Sequence, residues 1–160
     1  MNSKSQKGFT LLEILLVVAA IAILAGIVIL AINPNKQLGD TRNAQRKVDI
    51  NTILNAVYQY SVDNNGTLPA DLVRTNTTQR EICTSGAGQS TTTCTTALVY
   101  LGELVLNERY ITAIPMDPVA TNRAATGTGY DIMMTAGGRV TVLATHGENS
   151  IPLANLTVTR

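Results

Sequence analysis

Glu13 is the residue of this chain whose chemistry demands a partner. It interrupts an otherwise apolar run of twenty-four residues from Phe9 to Ile32, and nineteen uncharged residues follow it from Ile14. A carboxylate at bilayer depth is destabilising by roughly several kcal/mol unless it is protonated, paired or near the interface, so an intramembrane acid reads as functional. Cys83 and Cys94 are the two thiols and His146 is the single imidazole. Zinc calls for four closely spaced ligands, which two separated cysteines and one histidine do not supply, so no metal is expected. Thr and Ser are plentiful, but no recognisable nucleophile setting or phosphate-binding glycine loop accompanies them. The chain therefore reads as no enzyme, with no catalytic residue and no cofactor.

The element that must position Glu13 is the apolar run itself. At ~1.5 Å per residue it makes a helix of about 36 Å, long enough for roughly 30 Å of hydrocarbon. Lys4 and Lys7 followed by Ala19, Ala20 and Ala22 imitate a secretory signal peptide. The run continues well past such a cleavage site, however, and carries an acid near its start. Asn33-Pro34-Asn35 breaks the helix, because proline removes a donor and disfavours helical geometry before it. Helix then resumes, with an apolar stripe at Ala44, Val48, Ile50, Ile53, Leu54, Val57, Tyr58 and Tyr60, and Asn64-Asn65-Gly66 ends it. The expected stalk runs from Phe9 to about Asp63.

Beyond the stalk, residues 66–96 form a Thr-, Ser- and Gly-rich stretch that reads as an exposed loop. Leu98, Leu101, Leu104 and Val105 suggest a short helix over Ala97 to Arg109. Tyr130 to Thr135 and Arg139 to Thr145 flank Ala136-Gly137-Gly138 as a hairpin, and Leu156 to Thr159 supplies a last strand. The fold class is α+β: a long N-terminal helical stalk, half transmembrane and half amphipathic, packed on a small C-terminal antiparallel sheet. At 160 residues the chain has room for one such compact head.

The heptapeptide Lys7-Gly8-Phe9-Thr10-Leu11-Leu12-Glu13 resembles the signal of type IV prepilins and pseudopilins. The resemblance implies that a prepilin peptidase cuts between Gly8 and Phe9, that Phe9 is N-methylated, and that Glu13 becomes the fifth residue of the mature chain. Gly8, without a side chain, lets a protease approach the backbone. Cleavage would create an ammonium in the apolar layer able to pair with Glu13 of a subunit already in a filament, which makes Glu13 the expected assembly residue. Three segments follow: a leader at 1–8, a transmembrane and filament-core helix at 9–35, and an amphipathic helix with an extracytoplasmic head at 36–160. In related filaments the stalk can melt near its glycines and proline, and Gly26 and Pro34 are the matching positions. The segment from Tyr110 to Pro118 also resembles the lead into the sheet of major pseudopilins. Those proteins hold calcium in an acid-rich C-terminal loop, but after Tyr130 only Asp131 and Glu148 are acidic here, so calcium is not expected.

The implied function is a structural subunit of a type IV pilus-like filament. The alternative is a pseudopilin or minor pilin of a type II secretion or DNA-uptake machine. Glu13 favours a place within the shaft, since a tip subunit need not bridge to one above. Partners are further copies of the chain in a helical homopolymer, prepilin peptidase, assembly-platform proteins and the bacterial inner membrane before export to a surface filament. Adhesion and twitching motility are open uses of such a fibre. Without residues 1 to 8 the chain has ten basic and eleven acidic side chains. Nucleic-acid binding by bulk attraction is therefore not indicated. No aromatic residue lies between Phe9 and Tyr58, which excludes a stacked-ring conductor in the shaft.

An extracytoplasmic head permits oxidation, so Cys83 and Cys94 are expected to form a disulfide. Orientation by basic residues opposes this topology, because Lys36, Arg42, Arg46 and Lys47 lie just outside; the cleavage signal decides, and the four read as a solvated helix face. Sequons begin at Asn65, Asn76 and Asn155, offering surface positions for glycans.

Overall fold

The computed structural model describes residues 8–75, 77–83, 94, 97–124 and 126–160. The leader residues Lys4 and Lys7, the sequon residue Asn76 and most of the polar stretch after Cys83 lie outside them. The chain forms two compact units, Met1–Leu38 and Gly39–Arg160.

In the first unit, helix α1 (Leu11–Ile32) has no buried residue. Its length and composition suit it to cross a membrane. It stops at Asn33, whose φ of 44° and ψ of 77° are left-handed. Pro34 then opens α2 (Pro34–Asp63), where its missing N–H is no loss. The expected break is therefore present at Asn33, whereas α1 passes through Gly26 as continuous helix.

In the second unit, α2 buries Ile50, Ile53, Leu54, Ala56 and Val57 against the sheet and its flanking loops. Asn65 and Gly66, both at positive φ, end it, and the Gly66 N–H closes back on the Ser61 carbonyl at 2.8 Å. The stretch after Gly66 departs from an exposed loop. It contains a short helix α3 (Ala70–Thr75) and the strand β1 (Arg80–Cys83), because Ile82 and Cys83 are fully buried. The helix expected over Ala97 to Arg109 shrinks to α4 (Gly102–Val105) and a 3-10 turn, Leu106–Glu108, containing Asn107 at φ 56°. Leu98, Leu101, Leu104 and Val105 are buried as their spacing implies.

Strands β2 (Gly127–Met134), β3 (Val140–Leu143) and β4 (Thr157–Thr159) complete an antiparallel sheet ordered β1-β2-β3-β4. Ile132 faces Val142 across the expected hairpin, and Val142 faces Val158. Cys83 and Cys94 are joined in a disulfide with Cα atoms 5.9 Å apart. The bond ties the end of β1, whose outer side is bridged by Val99 alongside Ile82, to the segment that returns to the core. For a sequence separation of 11 the loop-entropy model gives about 3 kcal/mol. Replacing both cysteines by serine is expected to lower the unfolding free energy of the head by about that amount, read from the denaturant midpoint.

Candidate assembly site

Gly8, Phe9 and Thr10 lie outside the helix, and Thr10 is its N-cap at φ −79° and ψ 151°. The Thr10 hydroxyl accepts the Glu13 N–H at 3.2 Å, and the Thr10 carbonyl accepts the Ile14 N–H at 3.2 Å. Phe9 is 78% exposed and Glu13 stands in the first turn, so Gly8, Phe9 and the Glu13 carboxylate all lie at one end of α1. Among the described residues the Glu13 carboxylate has no hydrogen-bond partner. The same end is followed by three turns in which every Leu, Ile and Val is exposed. Keeping such a side chain in water is unfavourable by about 1.5 to 3 kcal/mol, so the surface requires lipid or protein over it.

At the other end of α1 the break is locally satisfied. Asn33 Oδ1 accepts the Lys36 N–H at 3.3 Å, and the Gln37 side-chain amide donates to the Ile32 carbonyl at 3.4 Å. A helix end in an apolar setting needs such partners for its orphan backbone groups.

A second polar constellation holds the head's loops to α2. Ala44 and Val48, expected in the apolar stripe, are exposed, and the inward residues on this part of α2 are Asn43, Arg46 and Asp49. Arg46 is fully buried and grips Asp117 with both sides of its fork, Nε to Oδ2 at 2.7 Å and Nη2 to Oδ1 at 3.1 Å. Its Nη1 donates to Asn43 Oδ1 at 2.9 Å and to Glu148 Oε1 at 3.0 Å. Arg42 pairs with Glu148 as well, through Nε at 2.7 Å and through Nη2. Asn43 exchanges two hydrogen bonds with the Glu148 backbone, and Tyr130 donates to Asp49 at 2.6 Å. Gly39 lies so close to Asn149 that a Cβ there would meet its side-chain nitrogen at 2.5 Å.

Arg42 and Arg46 are therefore not part of a freely solvated basic face: Arg46 is buried inside the head, and Arg42 is partly buried against Glu148. Hydrogen bonds from Arg42, with those from Arg46, hold the Glu148 carboxyl at about 2 against an ordinary 4.5, outweighing its burial. Burial works against the Arg46 charge, but its bonds to Asp117 and Glu148 prevail and raise its pKa. Burial, reinforced by the Asp49 bond, pushes the Tyr130 hydroxyl up. The sequence signal for this network was the i, i+3, i+6 spacing of Asn43, Arg46 and Asp49, which polarity disguises as a solvent face. His146 is exposed, with its Nδ1 against the Thr145 hydroxyl, and Asn65 and Asn155 are exposed. No group of three metal-binding side chains occurs among the described residues.

Residues 3–29 match a family model described as the prokaryotic N-terminal methylation motif. A 65-residue segment is 38% identical to the type II secretion system core protein G of Aeromonas hydrophila. That match covers 41% of this chain and 44% of the relative, so the chain spans less than half the length of the protein it resembles. No solved structure matches the chain. An apolar helix with a terminal processing motif, joined to an α+β head, defines the class of pilin-like subunits. The chain carries that motif at its N-terminal end and is similar over less than half its length to a type II secretion core protein.

Two outcomes test the clamp. Arg46→Ala leaves Asp117 buried without its counter-charge and is expected to destabilise the head by about 3 to 5 kcal/mol in chemical denaturation. Glu148 is a group whose folded pKa is lowered, so its contribution is complete above about pH 4.5 and is lost as pH falls toward 2. Glu148→Gln is expected to lower Tm at neutral pH and to flatten the decline of Tm across that acid window.

Proposed function

We propose that this chain is a shaft subunit of a type IV pilus-like filament. Prepilin peptidase cuts the membrane-held precursor between Gly8 and Phe9, Phe9 is N-methylated, and α1 leaves the bilayer to polymerise into a helical homopolymer. The observation that carries this reading is the wholly uncovered apolar surface of α1 with the unpartnered Glu13 carboxylate one turn after Phe9. Hydrocarbon covers that surface in the precursor, and neighbouring copies cover it in the fibre. The Phe9 ammonium of an incoming subunit pairs with Glu13 of a subunit already in place, neutralising two charges that are each unfavourable alone. Assembly-platform proteins receive the head, whose axial position the pair sets, and the completed fibre extends from the cell surface.

A second reading is a pseudopilin of a type II secretion machine, or a minor pilin of a DNA-uptake machine, with a periplasmic fibre. The A. hydrophila relative, a type II secretion core protein by name, favours it. Electron microscopy of fibres sheared from cells separates the two, since a long surface fibre built of this chain supports the first and a fibre confined to the periplasm supports the second. Mass spectrometry of the subunit is expected to find N-methyl-Phe9 at its start; an intact leader on assembled protein would overturn both. Glu13→Gln is expected to be cleaved normally yet to lower fibre yield at least tenfold, and a normal yield would remove the charge pair from the mechanism.

A further inference from the structure

The peptide bond proposed for cleavage lies two residues before the first residue of α1, between Gly8, a poor helix former, and Phe9, which a helix tolerates. Phe9 continues the apolar pattern of Leu11, Leu12 and Ile14, and nothing in its chemistry stops a helix there. What stops it is Thr10. In a helix extended by one residue, the Glu13 N–H would bond to the Phe9 carbonyl four residues back. The Thr10 hydroxyl takes that N–H instead, at 3.2 Å, while Thr10 itself stays extended at ψ 151°. The first intrahelical bond therefore runs from Ile14 to the Thr10 carbonyl, and Gly8 and Phe9 remain outside the helix with their backbone uncommitted to it.

A protease must wrap both sides of a scissile amide, and a peptide bond locked in a helix turns its N–H and C=O inward along the helix ladder. We propose that Thr10 is a positioning residue for processing: its hydroxyl ends α1 so that Gly8 and Phe9 enter the peptidase as extended chain. The hydrolysis adds one water across the Gly8–Phe9 amide, leaving a carboxylate on Gly8 and an amine on Phe9 that takes up a proton. Thr10 donates nothing to that step. It keeps the substrate in the form that the enzyme binds. This inference rests on the cleavage assigned under the proposed function and names the residue that governs its efficiency.

The same cap serves the product. Thr10 and Glu13 stand at the spacing of a reciprocal capping box, yet among the described residues only the Thr10 half of it is made, and the Glu13 carboxylate does not fold back onto the Thr10 N–H. The carboxylate is thereby kept for a partner in another molecule.

The test uses the full-length precursor in detergent micelles with a purified prepilin peptidase, following leader release by mass spectrometry. Loss of the cap side chain disfavours a helix start at Thr10, relative to starts at other residues, by a factor of about five. Thr10→Ala and the isosteric Thr10→Val are therefore expected to raise KM about two- to fivefold with kcat unchanged, because only the fraction of substrate in the extended form binds. Thr10→Ser and Thr10→Asn, both good caps, are expected to restore wild-type KM, and the amide proton of Leu12, which a helix extended to Gly8 bonds to the Gly8 carbonyl, should exchange more slowly in the Val variant than in wild type. Wild-type kinetics for both Ala and Val would overturn the role of Thr10 while leaving the cleavage itself in place. Slow cleavage of Thr10→Asn together with Val would overturn it too, by showing that the enzyme reads the hydroxyl directly, as would a fall in kcat at constant KM. Failure of the wild-type precursor to be cut would overturn the processing reading and this inference together.

Discussion

An apolar helix with no cover of its own is the constraint on which the rest of the molecule depends. The side chains of α1 are exposed along its whole length, so the isolated chain is never at rest in water. Hydrocarbon covers the helix in a membrane, and in the proposed filament other copies of the chain cover it. The two settings are close in free energy for the Leu, Ile and Val side chains, since lipid tails are as apolar as leucine. Under the proposed assembly, transfer between them is directed by polar terms, which reduce to Glu13 and the amine that the proposed cleavage would create at Phe9. A single carboxylate has this authority because everything around it is neutral.

Two kinds of interaction hold α2 in the head. The apolar half of α2 is fastened by ordinary packing, with Ile50, Ile53, Leu54 and Val57 in one cluster with Tyr130, Ile132 and Val142. The preceding half has no apolar residues pointing inward and is fastened by charge. Arg46 holds Asp117, which in turn accepts the Val119 N–H at 2.8 Å and the Asn122 side chain at 3.2 Å. One guanidinium thus organises the turn after Pro118 and, through Glu148, the loop after β3. Buried ion pairs contribute little net stability compared with packed hydrocarbon, but removing one partner is severe, so they favour one arrangement of loops over its alternatives.

What could be read in the sequence follows from how local each feature is. The apolar helix, the stop at Asn33-Pro34 and the Asn65-Gly66 terminator are decided within a few residues, and each is found where the pattern puts it. The hairpin about Gly137 is equally local. Strand β1 was hidden because Arg80-Glu81-Ile82-Cys83 has one strongly apolar residue, and its place in the sheet is decided by β2, some fifty residues away. Arg42 and Arg46 were misread for the same reason. Basic residues on a helix are solvated unless an acid waits for them, and the acids, Asp117 and Glu148, lie 71 to 106 positions further on. At the assembly end, Thr10 was visible as part of a motif, but its role as a cap required the bond to the Glu13 N–H.

The polar groups at the two ends of α1 explain why the assembly signal can be so short. Breaking a helix in an apolar environment ordinarily exposes backbone donors and acceptors, each of which would seek a partner and blur recognition. Here Thr10 takes the Glu13 N–H, Asn33 takes the Lys36 N–H through both its carbonyl and its side chain, and Gln37 reaches back to Ile32. With those groups answered inside the chain, fewer polar groups stand beside the carboxylate of Glu13. A charged group carries information in a low-dielectric setting only if its neighbours are silent, because attraction there is strong toward any opposite charge or donor within reach. The capping residues therefore contribute to specificity as directly as the carboxylate does, although none of them need touch the neighbouring subunit.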